Sequence, residues 1–329
     1  MLTLGLSFAF LSGVANGLFT TPMKLIRGWR WENIWLLSIV TSCVVMPPLV
    51  VGLWPGELAA TLRALPVGAL RAALSFGFFW GFGSILFGLS VDRLGVSLSN
   101  SLVLGVSSAA GSVVPLLMAG SFHLETRHLV LFTGVAVFVA GVALCAKAGR
   151  MREASSAVPA SWFGILCALG AGTMSAVFNI GYALALPIAA AGQALGLSHF
   201  RSTNLIWLLM LSAGSIPNIV FCGRLLRKNS SARLFLEGPV GRTWGLSMSM
   251  GILWGISILL YGAATPLLGD LGPSVGWPVS LGVGLVTANL MGYWLGEWRQ
   301  AEPAARRIMQ GGIGLLLAAI VICAASTRL

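Results

Sequence analysis

Apolar runs of about 18 to 25 residues recur along nearly the whole chain. A run of this length crosses roughly 30 Å of hydrocarbon as a helix, in which every backbone hydrogen bond is made within the segment. Hydrophobic residues make up 57% of the chain and charged residues only 9%, more apolar surface than a water-soluble domain can cover. The sequence therefore predicts an all-α integral membrane protein.

The apolar runs predict ten transmembrane helices. Their approximate bounds are 2–22, 33–54, 66–90, 97–119, 129–147, 161–186, 203–223, 243–266, 273–296 and 305–325. The first run lacks the basic start of a secretory signal, so we expect it to be retained as a helix.

The formal net charge of +11 comes from 20 lysines and arginines set against nine acidic residues. These cations cluster in the loops after the odd-numbered segments. The exceptions are Arg63, Arg71, Arg127, Arg201 and Arg328. The positive-inside bias therefore predicts cytoplasmic odd-numbered loops and both termini on the outer side. The basicity indicates topology and argues against a nucleic-acid partner.

A glycine-rich stretch occurs twice, as GFFWGFGSILFGLSVDRLG at 77–95 and as GILWGISILLYGAATPLLG at 251–269. At an offset of 174, Gly77, Trp80 and Gly81 fall on Gly251, Trp254 and Gly255. The copies are five segments apart. Because that number is odd, they are expected to cross the membrane in opposite directions. Inverted repeats are typical of secondary transporters, whose substrate site lies near the midplane between the two halves.

A weaker echo relates ENIWLLSIV around Trp35 to TNLIWLLML around Trp207, which indicates that the whole chain is duplicated. We therefore expect a first five-helix repeat at 1–148 and a second, inverted five-helix repeat at 161–329. The polar, basic stretch at 149–160 is the predicted cytoplasmic linker between them.

Five plus five inverted helices, with very short turns after segments three and eight, resemble the drug/metabolite transporter superfamily. Within it, the chain is similar to the L-rhamnose/proton symporter family. The similar motifs are PMKLIRGWRWENIW at 22–35, the GxxWGxG pattern at 77–83, AAAGQALG at 189–196, LGPSVGW at 271–277 and GEW at 296–298.

The resemblance covers essentially the whole chain. It implies a multi-pass protein of the bacterial inner membrane that imports L-rhamnose or a related neutral sugar with protons by alternating access. A drug/metabolite exporter and an uncoupled sugar uniporter of the same superfamily are the alternatives, and a non-transporting membrane sensor is less favoured. A drug exporter would be favoured by a central acidic residue in the first segment, where this chain has Asn16.

Catalytic constellations are missing from the sequence. It has no paired carboxylates, no nucleophile beside a histidine and no phosphate-binding glycine loop with a lysine. The five cysteines fall one per apolar run and never at metal-ligand spacing. We therefore expect no enzymatic activity, cofactor or metal.

Trp80 and Trp254 lie near mid-membrane, whereas most of the other tryptophans lie near segment ends as interfacial anchors. Each is either a packing residue or an apolar face for a sugar ring, with an indole N–H for a hydroxyl. On the second interpretation the pair would hold one sugar from opposite sides. Phe87 and Tyr261, equivalent in the repeat, would extend this wall.

Sugar hydroxyls need a few placed polar groups in a mainly apolar pocket. Within the predicted spans the candidates are Asn16, Thr20, Ser84, Asn100, Ser101, Asn179, Ser274 and Asn289. For each asparagine, a structural bond to a neighbouring helix is an equal alternative, because an unpaired amide is costly in lipid. Asn16 and Asn179 are favoured since segments one and six are symmetry mates. The prolines around Ser274 and Trp277 would break the ninth helix and free backbone groups for a ligand.

Proton coupling needs a group that changes its protonation, and no carboxylate lies at mid-membrane. Asp92 and Asp270 lie in the two equivalent turns, and Glu32 and Glu297 lie in the family-like motifs. We expect Asp270 to take up the proton outside or to gate there. The alternative for each carboxylate is a solvated or capping charge.

Overall fold

The computed structural model describes residues 1–94, 96–118, 125–152 and 161–328, without the side chains of 91, 92 and 96–98. All regular structure in these ranges is helical. In chain order the α-helices are α1 (Leu2–Leu18), α2 (Trp31–Val51), α3 (Pro55–Ala64), α4 (Val67–Leu94), α5 (Val96–Met118), α6 (Thr126–Arg152), α7 (Trp162–Ala194), α8 (His199–Lys228), α9 (Val240–Ala264), α10 (Gly272–Trp294) and α11 (Pro303–Ala325).

In the part of the chain that the structure describes, nine helical segments are long and apolar enough to cross a membrane. One of them, Val240–Trp294, contains both α9 and α10, which the 3-10 segment Thr265–Leu271 joins. The prediction of an all-helical integral membrane protein is confirmed. The exposed helix α3 was not predicted, because its ten residues are too short to span a bilayer.

The chain divides into two compact units. Unit 1 comprises Met1–Gly17, Gly83–Ile180 and Ala264–Leu329, and unit 2 comprises Leu18–Phe82 and Gly181–Ala263. Each unit draws segments from both predicted repeats, so neither coincides with residues 1–148 or 161–329. The division by repeat therefore stays a prediction.

Unit 1 is held together by helices that approach through small residues. A Cβ atom on Gly134 of α6 would meet Cys323 of α11, and one on Gly13 of α1 would meet the Ser280 carbonyl of α10. The hydroxyls of Ser12 and Ser280 are 2.8 Å apart and hydrogen-bonded. Small side chains allow this approach in lipid, where helices associate mainly by close packing.

In unit 2, the first glycine copy packs α4 against α8. A Cβ atom on Gly77 would meet the carbonyl of Met210, and one on Gly81 would meet the carbonyl of Gly214. Neither glycine can carry a side chain unless the helices separate. This contact sets the position of Trp80, one residue before Gly81.

The second glycine copy packs α9 against α2. A Cβ atom on Gly251 would meet the Ser38 carbonyl, and one on Gly255 would meet the thioether of Met46. Ser38 and Ser247 reinforce this pair of helices, because Ser38 Oγ donates to the Ser247 carbonyl at 2.9 Å. This contact sets the position of Trp254.

Helix α2 is π-helical between Val40 and Val45. Pro47 and Pro48 follow this segment and lack the N–H groups of a regular helix, which interrupts the ladder of backbone bonds. The Met46 N–H donates to the Thr41 carbonyl, five residues back, the bond that defines a π-turn. The extra residue in this turn lies next to the α9 contact at Met46.

Candidate functional site

The two central tryptophans lie in direct contact within unit 2. The ring centroids of Trp80 and Trp254 are 5.3 Å apart, and the ring planes differ by 10°. Both side chains are half-buried. The six-membered ring of Trp80 also lies over Gly214 of α8, where a Cβ atom would be 2.6 Å from the ring. The structure therefore brings the predicted pair together as a stack.

This stack differs from the expectation that a sugar lies between the two indoles. A sugar between them would need ring faces about 7 Å apart, two contacts of about 3.5 Å each. At a centroid separation of 5.3 Å, each indole covers a face of the other and leaves no space for a sugar between them. The sequence predicted the pairing but not the distance, because the distance depends on how closely the glycine contacts bring the helices together.

Tyr261 is buried in an aromatic cluster of unit 2. Its ring centroid lies 5.6 Å from that of Tyr182 and 6.2 Å from that of Trp207. Tyr182 and Trp207 stack at 4.6 Å, and the Tyr182 hydroxyl donates to the Gly262 carbonyl at 2.7 Å. All three side chains are at most 1% exposed. Tyr261 is thus a packing residue in this conformation, whereas its repeat equivalent Phe87 is half-buried.

Asn179 is fully buried in unit 1 and joins three helices. Its Nδ2 atom donates to the Gly111 carbonyl of α5 at 2.8 Å and to the Pro273 carbonyl of α10 at 3.0 Å. A side-chain amide has two N–H donors, and both are used here. Of the two roles considered for Asn179, this geometry favours the structural one.

Trp277 and two serines form a polar chain in unit 1. The Trp277 Nε1 atom donates to Ser107 Oγ at 3.1 Å, and the Ser107 hydroxyl donates to Ser175 Oγ at 2.8 Å. Trp277 is 5% exposed and lies against Gly111. Its indole N–H is therefore committed to the protein.

The entry to α10 differs from the predicted break. The helix runs without interruption from Gly272 through Pro278, and the break precedes it, at Gly269 with φ 75°. Pro278 has no N–H to bond the carbonyl of Ser274, four residues earlier, so this carbonyl loses its helical partner. Ser274 itself is 2% exposed.

Five further polar candidates have different environments. Asn16 and Asn100 are half-buried in unit 1 and have no hydrogen bond to any described residue. Ser84 is also half-buried, and Asn289 donates to the Leu285 carbonyl at 2.9 Å. Thr20 is exposed and follows the end of α1 at Leu18, within the apolar segment Leu2–Leu25 that is long enough to span a membrane. Asn16 and Asn100 retain amide groups that can serve a ligand.

Glu32 is engaged at the start of α2. It is 4% exposed and accepts hydrogen bonds from Asn229 Nδ2 at 2.9 Å and Ser231 Oγ at 2.6 Å. The adjacent Asn33 donates to the Ser231 carbonyl at 2.9 Å. The carboxylate thus ties α2 to the loop after α8. To carry a proton, Glu32 would have to break these hydrogen bonds.

The other predicted coupling carboxylates lie in unit 1. Glu297 forms an ion pair with Arg152 at 2.9 Å, and the Arg152 guanidinium lies 5.0 Å from the Trp298 ring. Asp270 is exposed in the segment between α9 and α10. Asp92 lies near the end of α4, and its side chain is outside the described residues.

Sequence reasoning missed Asn218 of α8. Its Nδ2 atom donates to the carbonyls of Gly81 at 3.1 Å and Gly214 at 3.0 Å, and its Oδ1 atom accepts from Trp35 Nε1 at 3.1 Å. This amide holds the glycine contact beneath Trp80. Its position directly after Pro217, inside an apolar run, was the available signal. His128, fully buried near the start of α6, was also missed.

The fold defines a polytopic membrane protein. Residues 1–326 match the family described as L-rhamnose-proton symport protein (RhaT). The chain belongs to this family, which is a family of transporters and not of enzymes.

Individual relatives agree with the family match. The chain is 23% identical to the L-rhamnose-proton symporter of Salmonella typhi over a 335-residue alignment, which covers 98% of this chain and 97% of that protein. It is 22% identical to the L-rhamnose-proton symporter of Cronobacter sakazakii (strain ATCC BAA-894), covering 97% and 96%. A protein crystal structure with 13% identity superposes with a TM-score of 0.61, covering 100% of this chain and 99% of that one, and shows the fold alone.

Proposed function

We propose that this protein imports L-rhamnose or a related neutral sugar with protons across a bacterial inner membrane. The observation that carries the proposal is the family match over residues 1–326, together with the symporter relatives that align along nearly their whole length. The spanning helices offer aromatic faces and half-buried amides, the combination that binds a neutral polar ring.

The transport cycle we propose is alternating access between two inverted halves. The helix contacts of unit 2 support it. Gly77 meets Met210, and its repeat equivalent Gly251 meets Ser38. Ser38 and Met210 are separated by the same 172 residues as Trp35 and Trp207, so the partners are also repeat mates. An inverted duplication is expected to contain such a pair of equivalent contacts, in which the glycine of each repeat packs against the same segment of the other repeat.

The topology we propose has ten crossings, five in each half, and both termini on the outer side. Helices α9 and α10 cross separately, because the 3-10 segment Thr265–Leu271 divides them. The distribution of lysine and arginine supports this orientation.

The sugar site we propose includes the indoles of Trp80 and Trp254. The stack is a conformation in which the two faces cover each other, and a sugar ring replaces one indole when the stack opens. The apolar face of the sugar then contacts an indole face, and the indole N–H donates to a hydroxyl.

Trp80→Ala and Trp254→Ala test this site in transport assays with purified protein reconstituted into proteoliposomes. We expect each variant to raise the apparent KM for L-rhamnose about tenfold, since an aromatic contact and a hydrogen bond are lost. Trp54→Ala is the matched control, because Trp54 is 77% exposed. An unchanged KM in both variants would remove the stack from the site.

Proton coupling is tested by an imposed pH gradient. We expect accumulation of L-rhamnose above equilibrium only when the side from which the sugar enters is the more acidic. Equal accumulation with and without the gradient would refute proton coupling. That result would favour a sugar uniporter. The hydrogen bond of Glu32 to Ser231 and the ion pair of Glu297 with Arg152 support this alternative, because both carboxylates already have partners.

Asp270 is the carboxylate we propose for proton uptake, since it is exposed beside the break before α10. We expect Asp270→Asn to abolish gradient-driven accumulation while sugar exchange down its own gradient persists. Glu302→Gln is the control, because Glu302 is likewise exposed. Full gradient-driven accumulation by Asp270→Asn would assign coupling to another group.

A further inference from the structure

A cavity of about 800 Å³ lies between α5 and α6 of unit 1. We call it the α5–α6 groove. Its walls are mostly aliphatic, with Val106 on α5 and Val142 on α6, and small residues such as Gly105 and Ala143 widen it. A Cβ atom on Gly105 would have no neighbour within 4 Å, so the groove is open at that point.

One end of the groove carries two cations, Lys147 and Arg150. They lie three residues apart and therefore on one face of α6. Both side chains are exposed, and neither forms an ion pair with a described residue. Arg152, two residues further on, is by contrast paired with Glu297. The charge at the mouth of the groove is therefore available to a ligand.

The length of the groove matches one leaflet of a bilayer. Its lining runs along α6 from Val139 to Met151, which is about 18 Å at 1.5 Å per residue. Half of a hydrocarbon core is about 15 Å thick. A ligand that fills this groove has an acyl chain along the aliphatic walls and a negative group at the basic end.

We infer that the α5–α6 groove binds an anionic phospholipid, with the phosphate at Lys147 and Arg150 and one acyl chain between the helices. Basic pockets between transmembrane helices bind such headgroups. A neutral sugar fits poorly, because it would leave the two cations unmatched and cover aliphatic walls with hydroxyls. The proposed topology places this end of α6 in the cytoplasmic leaflet, whose anionic lipids can enter the groove from the side.

The test uses the full-length purified protein in mild detergent. Native mass spectrometry counts bound lipids during titration with phosphatidylglycerol or phosphatidylcholine. We expect phosphatidylglycerol to bind about 25-fold more tightly, since each of the two basic residues near the phosphate contributes roughly fivefold. Equal affinity for the two lipids would overturn the inference.

Two pairs of variants locate the site. Lys147→Ala with Arg150→Ala is expected to abolish the preference for phosphatidylglycerol. Arg227→Ala with Lys228→Ala is the matched control, because it removes the same charges from exposed positions of α8 and is expected to keep the preference. If Lys147→Ala with Arg150→Ala also kept the preference for phosphatidylglycerol, the headgroup would not lie at these two residues.

A filled groove tests the acyl chain independently of charge. Gly105→Leu places a side chain in open space, so we expect an unchanged melting temperature and the loss of one bound lipid. Gly314→Leu is the control, since Gly314 on α11 also has no neighbour within 4 Å. Retention of the same lipid count by Gly105→Leu would overturn the inference even if charge dependence were observed.

Discussion

Helices α4 and α9 carry the same pair of glycines four residues apart, yet the two pairs meet different surfaces. On α4, Gly81 lies against the backbone carbonyl of Gly214. On α9, Gly255 lies against the thioether of Met46. A backbone atom in a regular helix cannot move aside, whereas a methionine side chain has three rotatable bonds. At the first position of the pair, Gly77 and Gly251 both meet a backbone carbonyl, so the difference lies at the second position, where the contact is rigid on α4 and deformable on α9.

The partner helices extend this difference. In α8, Asn218 ties Gly81 and Gly214 together and accepts from Trp35. In α2, the π-helical segment Val40–Val45 lies immediately before Met46, and such segments are common at functional sites. Identical glycines therefore do not imply identical mechanics, because the rigidity of a contact depends on the residue opposite.

The largest expected effect separates Gly81→Ala from Gly255→Ala. The new methyl group of Gly81→Ala meets a carbonyl, and we expect a loss of about 2–3 kcal/mol in the free energy of unfolding. In Gly255→Ala the Met46 side chain moves, so we expect less than about 1 kcal/mol. Thermal unfolding is followed by a thiol-reactive dye, since all five cysteines are buried. Equal losses in the two variants would contradict the comparison.

A smaller effect is expected for Asn218→Leu. The variant removes three hydrogen bonds and leaves the Trp35 indole N–H without its acceptor. We expect a loss of about 1–2 kcal/mol in the same assay. Asn289→Leu is the control, because among the described residues Asn289 bonds only to the Leu285 carbonyl of its own helix. A larger loss in the control would argue against Asn218 as the tie that stiffens the α8 contact.

Arg201→Gln perturbs the deformable side of the comparison. The guanidinium donates to the carbonyls of Val51 at 2.6 Å and Gly52 at 2.7 Å, and so caps the end of α2. We expect a loss of about 1 kcal/mol, because Val51 is buried and its carbonyl loses a donor, whereas the Gly52 carbonyl is exposed and can bond water instead. Arg63→Gln, on the exposed surface of α3, is expected to leave the melting temperature unchanged.

The smallest expected effect has the opposite sign. Gly68 on α4 and Gly245 on α9 are exposed, and a Cβ atom on either would have no neighbour within 4 Å. Gly68→Ala and Gly245→Ala are expected to stabilise the protein by roughly 0.5 kcal/mol each, since alanine loses less backbone entropy. Destabilisation by either variant would show that glycine in these helices has a role other than contact.

The all-helical membrane character, a prediction that depends on single segments, is confirmed. The all-helical membrane fold follows from runs such as those that form α5 and α6, because length and hydropathy are properties of one segment in its solvent. The closeness of Trp80 to Trp254 was predicted from the repeat. Their direct stacking was not, because a ring separation depends on backbone contacts made far away in sequence.

Polar residues show the same limit. Asn16 and Asn179 look alike in sequence, as single asparagines in apolar runs. In the structure, the Asn179 amide donates hydrogen bonds to the carbonyls of Gly111 and Pro273, whereas Asn16 has no hydrogen bond to a described residue. Only the neighbouring helices distinguish a structural amide from one available to a ligand.

The sequence by itself determined the spanning helices, the doubled glycine motif and the family, since each is encoded in local hydropathy or in the order of residues. The tertiary structure decided which helix faces each glycine, that Trp80 and Trp254 cover each other, and which polar groups remain available. The physical reason is that packing and hydrogen bonding in a bilayer depend on the distance between backbones, which no single segment specifies.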